Sequence, residues 1–132
     1  MRLYLAQINP IVGDLPGNAT IIIEEAHKAK MAGADLLVTP ELALTGYPPR
    51  DLLDRPGFIS DTAQTLDDVR GKLPLPAVIG TVVAAEDDPS GSGTRINNAA
   101  VFIEDNQIKE VHRKMLLPTY DVFDEARYFV PG

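Results

Sequence analysis

Three charged residues in the chain are of types that could act together on a carbonyl group. Glu41 comes just after a short apolar run, Lys114 ends an alternating stretch, and Glu125 lies in a segment rich in aromatic and acidic residues. A carboxylate can act as a general base, and an ammonium group can stabilise the oxyanion that forms when a carbonyl is attacked. Glu–Lys pairs are also common solvated surface features that contribute little. The residue types alone therefore fit either a carbonyl-directed site or an ordinary ion pair.

Glu41 lies where a predicted strand ends. The apolar run at residues 36–38 is typical of a buried strand. Pro40 stops that strand, because proline lacks an N–H and restricts the residue before it to extended geometry. Residues 42–44 are apolar, so we expect the Glu41 carboxylate to be partly desolvated. Tyr47 follows in a loop that glycine and proline residues make irregular.

The segment before Glu41 predicts a βαβ unit. Residues 2–9 alternate between two largely apolar faces, which indicates a strand buried on both sides. Asn18 is a suitable N-cap for a helix that Gly33 ends. The apolar face of this helix comprises Ala19, Ile22, Ala26 and Ala29. A strand, a helix and a second strand at this spacing predict that the two strands are parallel.

The segment after the Glu41 loop predicts a helix, a strand and a hairpin. The helix covers residues 57–71, with a buried stripe of Ile59, Ala63, Leu66 and Val69. Residues 77–84 form a strand, and the acidic, Gly/Ser-rich residues 86–94 form an exposed loop or hairpin end. A β-hairpin pairs residues 97–103 with 107–114 and has Asn106 in a left-handed conformation. It delivers Lys114 to the end of its second strand, ahead of an ordered loop that contains Glu125.

Composition excludes several classes of function. At 132 residues the chain fits one domain or a piece of one. Its net charge of −7 and the lack of a basic patch argue against binding to nucleic acid or to an anionic membrane surface. There is no cysteine, so disulfides, thiolate metal sites and a cysteine nucleophile are absent from these residues. His112 has no partner at metal-ligand spacing, and no metal is expected. No apolar run approaches the roughly 20 residues that a membrane span needs. We therefore expect the protein to be cytoplasmic.

Two long motifs resemble the nitrilase, or carbon–nitrogen hydrolase, superfamily. The segment LLVTPELALTGYPPRDLL resembles the one around that family's catalytic glutamate, and RKMLLPTYDVFDEARYF resembles the one around its catalytic lysine. The pair GYPPRDLL and LPTYDVFDEARYF is most similar to one branch, the N-terminal glutaminase domains of glutamine-dependent NAD synthetases. The segments AQINPIVGDLPGN and INNAAVFIEDNQI fit the same pattern, so the resemblance covers nearly the whole chain.

The resemblance implies an α/β fold and roles for six residues. The fold would be an α-β-β-α sandwich of the nitrilase type, with residues 1–132 as roughly its first half. Glu41 would be the general base, Lys114 would stabilise the oxyanion, and Glu125 would support the site. Three aromatic residues would shape the glutamine pocket, namely Tyr47, Tyr120 and Phe123.

The resemblance also implies a larger enzyme. The family's nucleophile is a cysteine that would lie beyond Gly132, so the isolated chain is expected to be inactive. The parent enzyme would hydrolyse glutamine through a glutamyl-thioester. It would pass the ammonia to a C-terminal synthetase domain that uses ATP and magnesium to make NAD from nicotinic acid adenine dinucleotide. No cofactor is expected in this chain itself, and the enzyme would be a homo-oligomer.

Two other functions remain open from the sequence. A stand-alone nitrilase-type amidase with a different amide substrate would lack a downstream ATP-pyrophosphatase motif. A non-catalytic binding or assembly module of the same fold would lack the downstream cysteine.

Overall fold

The computed structural model describes residues 1–85, 95–120 and 123–132, which form a mixed α/β unit around one five-stranded sheet. The predicted loop at residues 86–94 lies outside the described residues. The strands follow the order β1 to β5 across the sheet: β1 Leu3–Leu5, β2 Leu36–Val38, β3 Ala77–Ala84, β4 Ile96–Glu104 and β5 Gln107–Arg113. The helices are α1 Leu15–Met31 and α2 Phe58–Arg70, with short 3-10 turns at Arg50–Asp54 and Glu125–Arg127.

The pairing of the strands confirms the βαβ unit and the hairpin. Strand β2 pairs in parallel with both β1 and β3, whereas β4 pairs antiparallel with both β3 and β5. Asp105 and Asn106 both have positive φ, 52° and 58°, between β4 and β5. Two left-handed residues in a two-residue connection are typical of the turn whose twist matches that of the flanking strands.

Helix α1 begins earlier than the sequence predicted. Asp14, not Asn18, is the N-cap, and its side chain accepts a hydrogen bond from the Gly17 N–H at 3.0 Å. Asn18 is instead buried inside the helix, where its Nδ2 donates to the Ile11 carbonyl at 2.8 Å and the Leu44 carbonyl at 3.0 Å. It therefore ties two loops to the helix. Gly33 has φ +72° just after the helix, as predicted for a glycine that ends it.

Helix α2 buries a stripe that differs from the prediction at two of its four positions, each shifted by one residue. The buried residues are Phe58, Thr62, Leu66 and Val69. Ala63 is exposed and Ile59 is only half-buried. Thr62 can occupy a core position because its hydroxyl donates to the Phe58 carbonyl at 2.7 Å, which leaves no unsatisfied donor.

Both helices cover one face of the sheet, and the opposite face is largely open. Fully buried residues such as Ile22, Leu37 and Ile79 form the core between helices and sheet. The strand register places Leu3, Leu5, Val38, Val78 and Phe102 on the other face. Leu3 and Leu5 are 51% and 63% exposed, so the prediction that β1 is buried on both sides is wrong for this chain. No helix in the described ranges is long and apolar enough to cross a membrane.

Candidate active site

Glu41 is positioned by a tight turn that rests on strand β3. After β2 the chain passes over Gly80, whose N–H donates to the Thr39 hydroxyl at 3.0 Å and whose carbonyl accepts from the Leu44 N–H at 3.1 Å. A side chain at Gly80 would collide with the Pro40 carbonyl oxygen and with the Leu42 nitrogen, at 2.6 Å from the latter. Glycine at position 80 therefore lets the turn that carries Glu41 lie directly on the sheet.

The apolar residues after Glu41 anchor the turn rather than cover the carboxylate. Leu42, Ala43 and Leu44 are fully buried, whereas the Glu41 side chain is 48% exposed. The Glu41 side chain is therefore partly buried, as expected, although its apolar neighbours point into the core rather than over the carboxylate. This leaves the carboxylate accessible to a reacting group.

Lys114 directly follows β5, as predicted. Its backbone N–H donates to the Asn98 carbonyl on β4 at 2.8 Å, and its carbonyl accepts from the Gly132 N–H at 3.1 Å. The backbone of Lys114 is therefore fixed from both sides. Its side chain, 30% exposed, extends towards Glu41.

Glu125 approaches the same point from the loop that follows β5. It opens the second 3-10 turn, where its N–H donates to the Pro118 carbonyl at 3.2 Å and its carbonyl accepts from the Phe129 N–H at 2.9 Å. Its side chain is only 6% exposed. A buried carboxylate requires compensating hydrogen bonds, and Lys114 and Tyr47 supply them.

The three charged side chains meet at the Lys114 ammonium. Its Nζ lies 2.8 Å from Glu41 Oε1 and 3.0 and 3.2 Å from Glu125 Oε2 and Oε1. The Tyr47 hydroxyl donates to Glu125 Oε1 at 3.3 Å. Glu41 and Lys114 are 73 positions apart along the chain, and Lys114 and Glu125 are 11 positions apart, so the fold brings distant residues together.

The electrostatics of the cluster keep Lys114 charged. Burial by itself would lower the pKa of the Lys114 ammonium, but its hydrogen bonds to Glu41 and Glu125 and their negative charges raise that pKa above its ordinary value. Burial and the charge of Glu125 likewise raise the pKa of Tyr47, so its hydroxyl keeps the proton that it donates. A permanent cation between a buried and an accessible carboxylate could stabilise an oxyanion while the accessible one moves a proton.

Comparison with known proteins places the chain in a family. The profile of the carbon-nitrogen hydrolase family matches residues 2–132. The chain belongs to the carbon–nitrogen hydrolases. It is 46% identical over 129 residues to a glutamine-dependent NAD(+) synthetase from Synechocystis and 41% identical over 135 residues to one from Thermotoga maritima. These matches cover 96% and 100% of the chain but only 23% and 22% of the relatives, whose N-terminal part it resembles.

Two solved structures agree with this fold. The glutamine-dependent NAD+ synthetase of Acinetobacter baumannii superimposes with a TM-score of 0.88 at 37% identity, over 98% of this chain and 24% of that one. An amidase from Nesterenkonia superimposes with a TM-score of 0.80 at 24% identity, over the whole of this chain and 48% of that one. The expected nitrilase-type α/β fold is confirmed.

The aromatic residues expected around a substrate take different positions in this carbon–nitrogen hydrolase. Tyr47 contacts Glu125 and lines a cavity of about 230 Å³. Tyr120 is 67% exposed and meets the half-buried Phe123 edge to face, with 5.7 Å between ring centroids. Neither of these two lines that cavity, whose other walls come from residues 48–50, 124–125 and 127–129.

Sequence reasoning missed one polar residue of the site. Asn98 on β4 donates from Nδ2 to Glu41 Oε1 at 2.5 Å. The signal was present, since Asn97 and Asn98 are adjacent polar residues in an otherwise apolar strand. A buried amide in a strand needs a partner, and here the partner is the carboxylate of Glu41.

The described residues contain no group of three His, Cys, Asp or Glu that could hold a metal ion.

Proposed function

We propose that the chain carries the general base and the oxyanion-stabilising lysine of a glutaminase site. The site would lie in a longer protein that uses the released ammonia for ATP-dependent synthesis of NAD from nicotinic acid adenine dinucleotide. The observation that carries this proposal is the Lys114 ammonium held between Glu41 at 2.8 Å and Glu125 at 3.0 Å. The choice of glutamine as substrate is supported by relatives named glutamine-dependent NAD(+) synthetases.

Each of the three groups has a separate task in this proposal. Glu41, the accessible carboxylate, takes the proton of a thiol that attacks the amide carbon and then gives a proton to the departing ammonia. Lys114 stabilises the oxyanion of the tetrahedral intermediate. Glu125 is buried and holds Lys114 in place, with Tyr47 bonded behind it. Water then hydrolyses the glutamyl-thioester and releases glutamate.

The thiol in this scheme comes from outside these residues, because the 132-residue sequence contains no cysteine. We therefore expect the isolated chain to be inactive. Tyr47, Tyr120 and Phe123 would shape the glutamine pocket once the remainder of the domain is in place. ATP and magnesium would bind the C-terminal synthetase domain of the longer protein. The proposal includes a cytoplasmic, homo-oligomeric enzyme.

A stand-alone amidase is the less favoured alternative. The solved amidase is 24% identical to this chain, whereas the Synechocystis NAD(+) synthetase is 46% identical. A non-catalytic module of the same fold is the other alternative, and the accessibility of the Glu41 carboxylate beside the Lys114 ammonium favours a catalytic role over it.

The substitution Glu41→Gln in the full-length enzyme tests the proposal. We expect glutamine-supported NAD synthesis to fall by roughly 10²- to 10⁴-fold, the usual contribution of a general base. Synthesis supported by added ammonia should be unchanged, because it bypasses amide hydrolysis. Both rates are measured as NAD formed in the presence of ATP.

Glu24→Gln is the matched control, because Glu24 is an exposed residue of α1, on the opposite side of the sheet from Glu41. It should leave both rates unchanged. An equal loss of both rates in Glu41→Gln would show that Glu41 is not specific to glutamine hydrolysis.

A further inference from the structure

Asn98 bonds to both of the charged residues that the proposed function places at the carbonyl. Its side-chain Nδ2 donates to Glu41 Oε1 at 2.5 Å, and its backbone carbonyl accepts from the Lys114 N–H at 2.8 Å. We propose that Asn98 is a positioning residue for amide hydrolysis, which holds Glu41 so that its Oε2 atom is the proton acceptor. This inference rests on the proposed function.

The hydrogen bond from Asn98 has a defined direction and a buried donor. Asn98 is 3% exposed in the interior of β4. Of its two amide atoms only the nitrogen can donate to a carboxylate, so the orientation of the amide follows from its partner. Hydrogen bonds to a charged acceptor are stronger than those between neutral groups, and this one is shielded from water on the Asn98 side.

The two hydrogen bonds that Glu41 accepts within the described ranges both end on Oε1. One comes from Asn98 Nδ2 and the other from Lys114 Nζ. The Oε2 atom accepts none from residues 1–85, 95–120 or 123–132. One carboxylate oxygen is thus fixed by donors, which leaves the other oriented for proton transfer.

Lys114 cannot hold Glu41 in this orientation by itself. Its ammonium also bonds to Glu125 at 3.0 Å, and it lies at the end of a flexible side chain. Because the Glu41 side chain is 48% exposed, it could rotate into solvent if the amide donor were removed. Asn98 projects from the rigid sheet and therefore fixes the base relative to the lysine.

The test is Asn98→Leu in the full-length enzyme, since leucine has nearly the shape of asparagine but donates no hydrogen bond. We expect the glutamine-supported kcat to fall about 10- to 100-fold, the size of a lost hydrogen bond to a charged group. The KM for glutamine should stay within about twofold, because the substrate does not contact Asn98 in this account. Ammonia-supported synthesis should be unchanged, which also shows that the variant is folded.

Asn97→Leu is the matched control. Asn97 is equally buried in β4, but its Nδ2 donates to the Val130 carbonyl at 2.8 Å rather than to the cluster. It should keep the glutamine-supported kcat. A similar kcat loss in both variants would overturn the inference, because damage to β4 would then explain both.

An unchanged kcat in Asn98→Leu would also overturn the inference. Asn98→Leu could also lose both glutamine- and ammonia-supported activity. In that case Asn98→Ser, which is smaller and lacks the amide, is tested by the same criteria. An equal loss of both activities in Asn98→Ser overturns the inference. Glu41→Gln separates the two ideas. Activity retained in Glu41→Gln contradicts the proposed function, whereas activity lost there but kept in Asn98→Leu contradicts only the role of Asn98.

Discussion

At the scale of single residues, the cluster uses two carboxylates in different environments around one lysine. The Glu125 side chain is 6% exposed and the Glu41 side chain is 48% exposed. The buried carboxylate can scarcely change its surroundings during a reaction, so it suits the task of holding Lys114. The accessible carboxylate can exchange protons with an incoming group. The difference in burial therefore assigns different tasks to two residues of the same type.

Removing Lys114 should destabilise the protein, because it leaves Glu125 buried without its cation. We expect Lys114→Met to lower the free energy of unfolding by about 1–3 kcal/mol at pH 7. The pKa of Lys114 is raised by folding, so its contribution is complete below the unfolded pKa and disappears as the pH rises through the folded pKa. The difference between wild type and variant should thus be constant from pH 7 to 9 and shrink above about pH 10.5.

Denaturant unfolding at several pH values measures this difference. Lys109→Met, at an exposed position of β5, is the control and should change stability by less than about 0.5 kcal/mol. A loss in Lys114→Met that persists undiminished at alkaline pH would show that the charge of Lys114 does not contribute.

The residue scale also shows what the sequence could predict. That Glu41 and Lys114 approach each other could be predicted because each follows a strand, β2 or β5, and these two strands end on the same side of one sheet. Asn98 was missed because the two adjacent asparagines of an apolar strand indicate that a buried polar group is present but do not show which residue it bonds to. The start of α1 was missed for a related reason, since both Asp14 and Asn18 are good N-caps and only tertiary contacts decide between them.

At the scale of elements, the position of Glu41 depends on how closely its turn approaches β3. Gly80 makes this contact possible, because a Cβ there would meet backbone atoms of the turn rather than flexible side chains. Backbone cannot move aside without displacing the residue that it carries. The glycine of β3 is therefore as necessary to the geometry of the site as the proline that ends β2.

Gly80→Ala should move the turn and impair the site. We expect a loss of stability of about 1–3 kcal/mol from overpacking, together with lower glutamine-supported activity in the full-length enzyme. Gly71→Ala is the control, because a Cβ at Gly71 would make only ordinary contacts at 3.7 Å. If Gly80→Ala leaves thermal stability and activity unchanged, the close approach is not important.

The elements were predicted with uneven success, and burial explains the difference. Strand β3 was predicted with its observed bounds, because residues 77–84 are apolar and proline precedes them. Strand β1 spans only Leu3–Leu5 and has a single partner strand, so its apolar residues are exposed where full burial was predicted. An alternating pattern reveals which residues share a face but not whether another layer covers it.

At the scale of the whole molecule, the open face of the sheet is the main consequence of the architecture. Leu3, Leu5, Val38, Val78 and Phe102 form an apolar surface, and the helices lie on the other side. Glu41 and Asn98 lie towards one end of the same face, because Gly80, under the Glu41 turn, comes after Val78 in β3 and Asn98 comes before Phe102 in the antiparallel β4. In the proposed enzyme the covering layer would also complete the site.

The isolated chain should therefore associate and should not hydrolyse glutamine. Exposed apolar surface of this kind favours association, which is measured by light scattering against concentration. Losing the nucleophile of a catalytic set costs several orders of magnitude in rate, which is measured as glutamate release from glutamine. Turnover of roughly 1 per second or more by the purified chain would show that the assigned chemistry is wrong.

The most direct test of the central claim is a double-mutant cycle between Glu41 and Lys114 in the full-length enzyme, read as the rate of glutamate release. Catalytic groups that act as one unit are strongly non-additive, so Glu41→Gln, Lys114→Met and the double variant should all lose activity to a similar extent. The ammonia-supported rate should persist in all three. Losses that multiply in the double variant would show that the two residues act independently and would contradict the account.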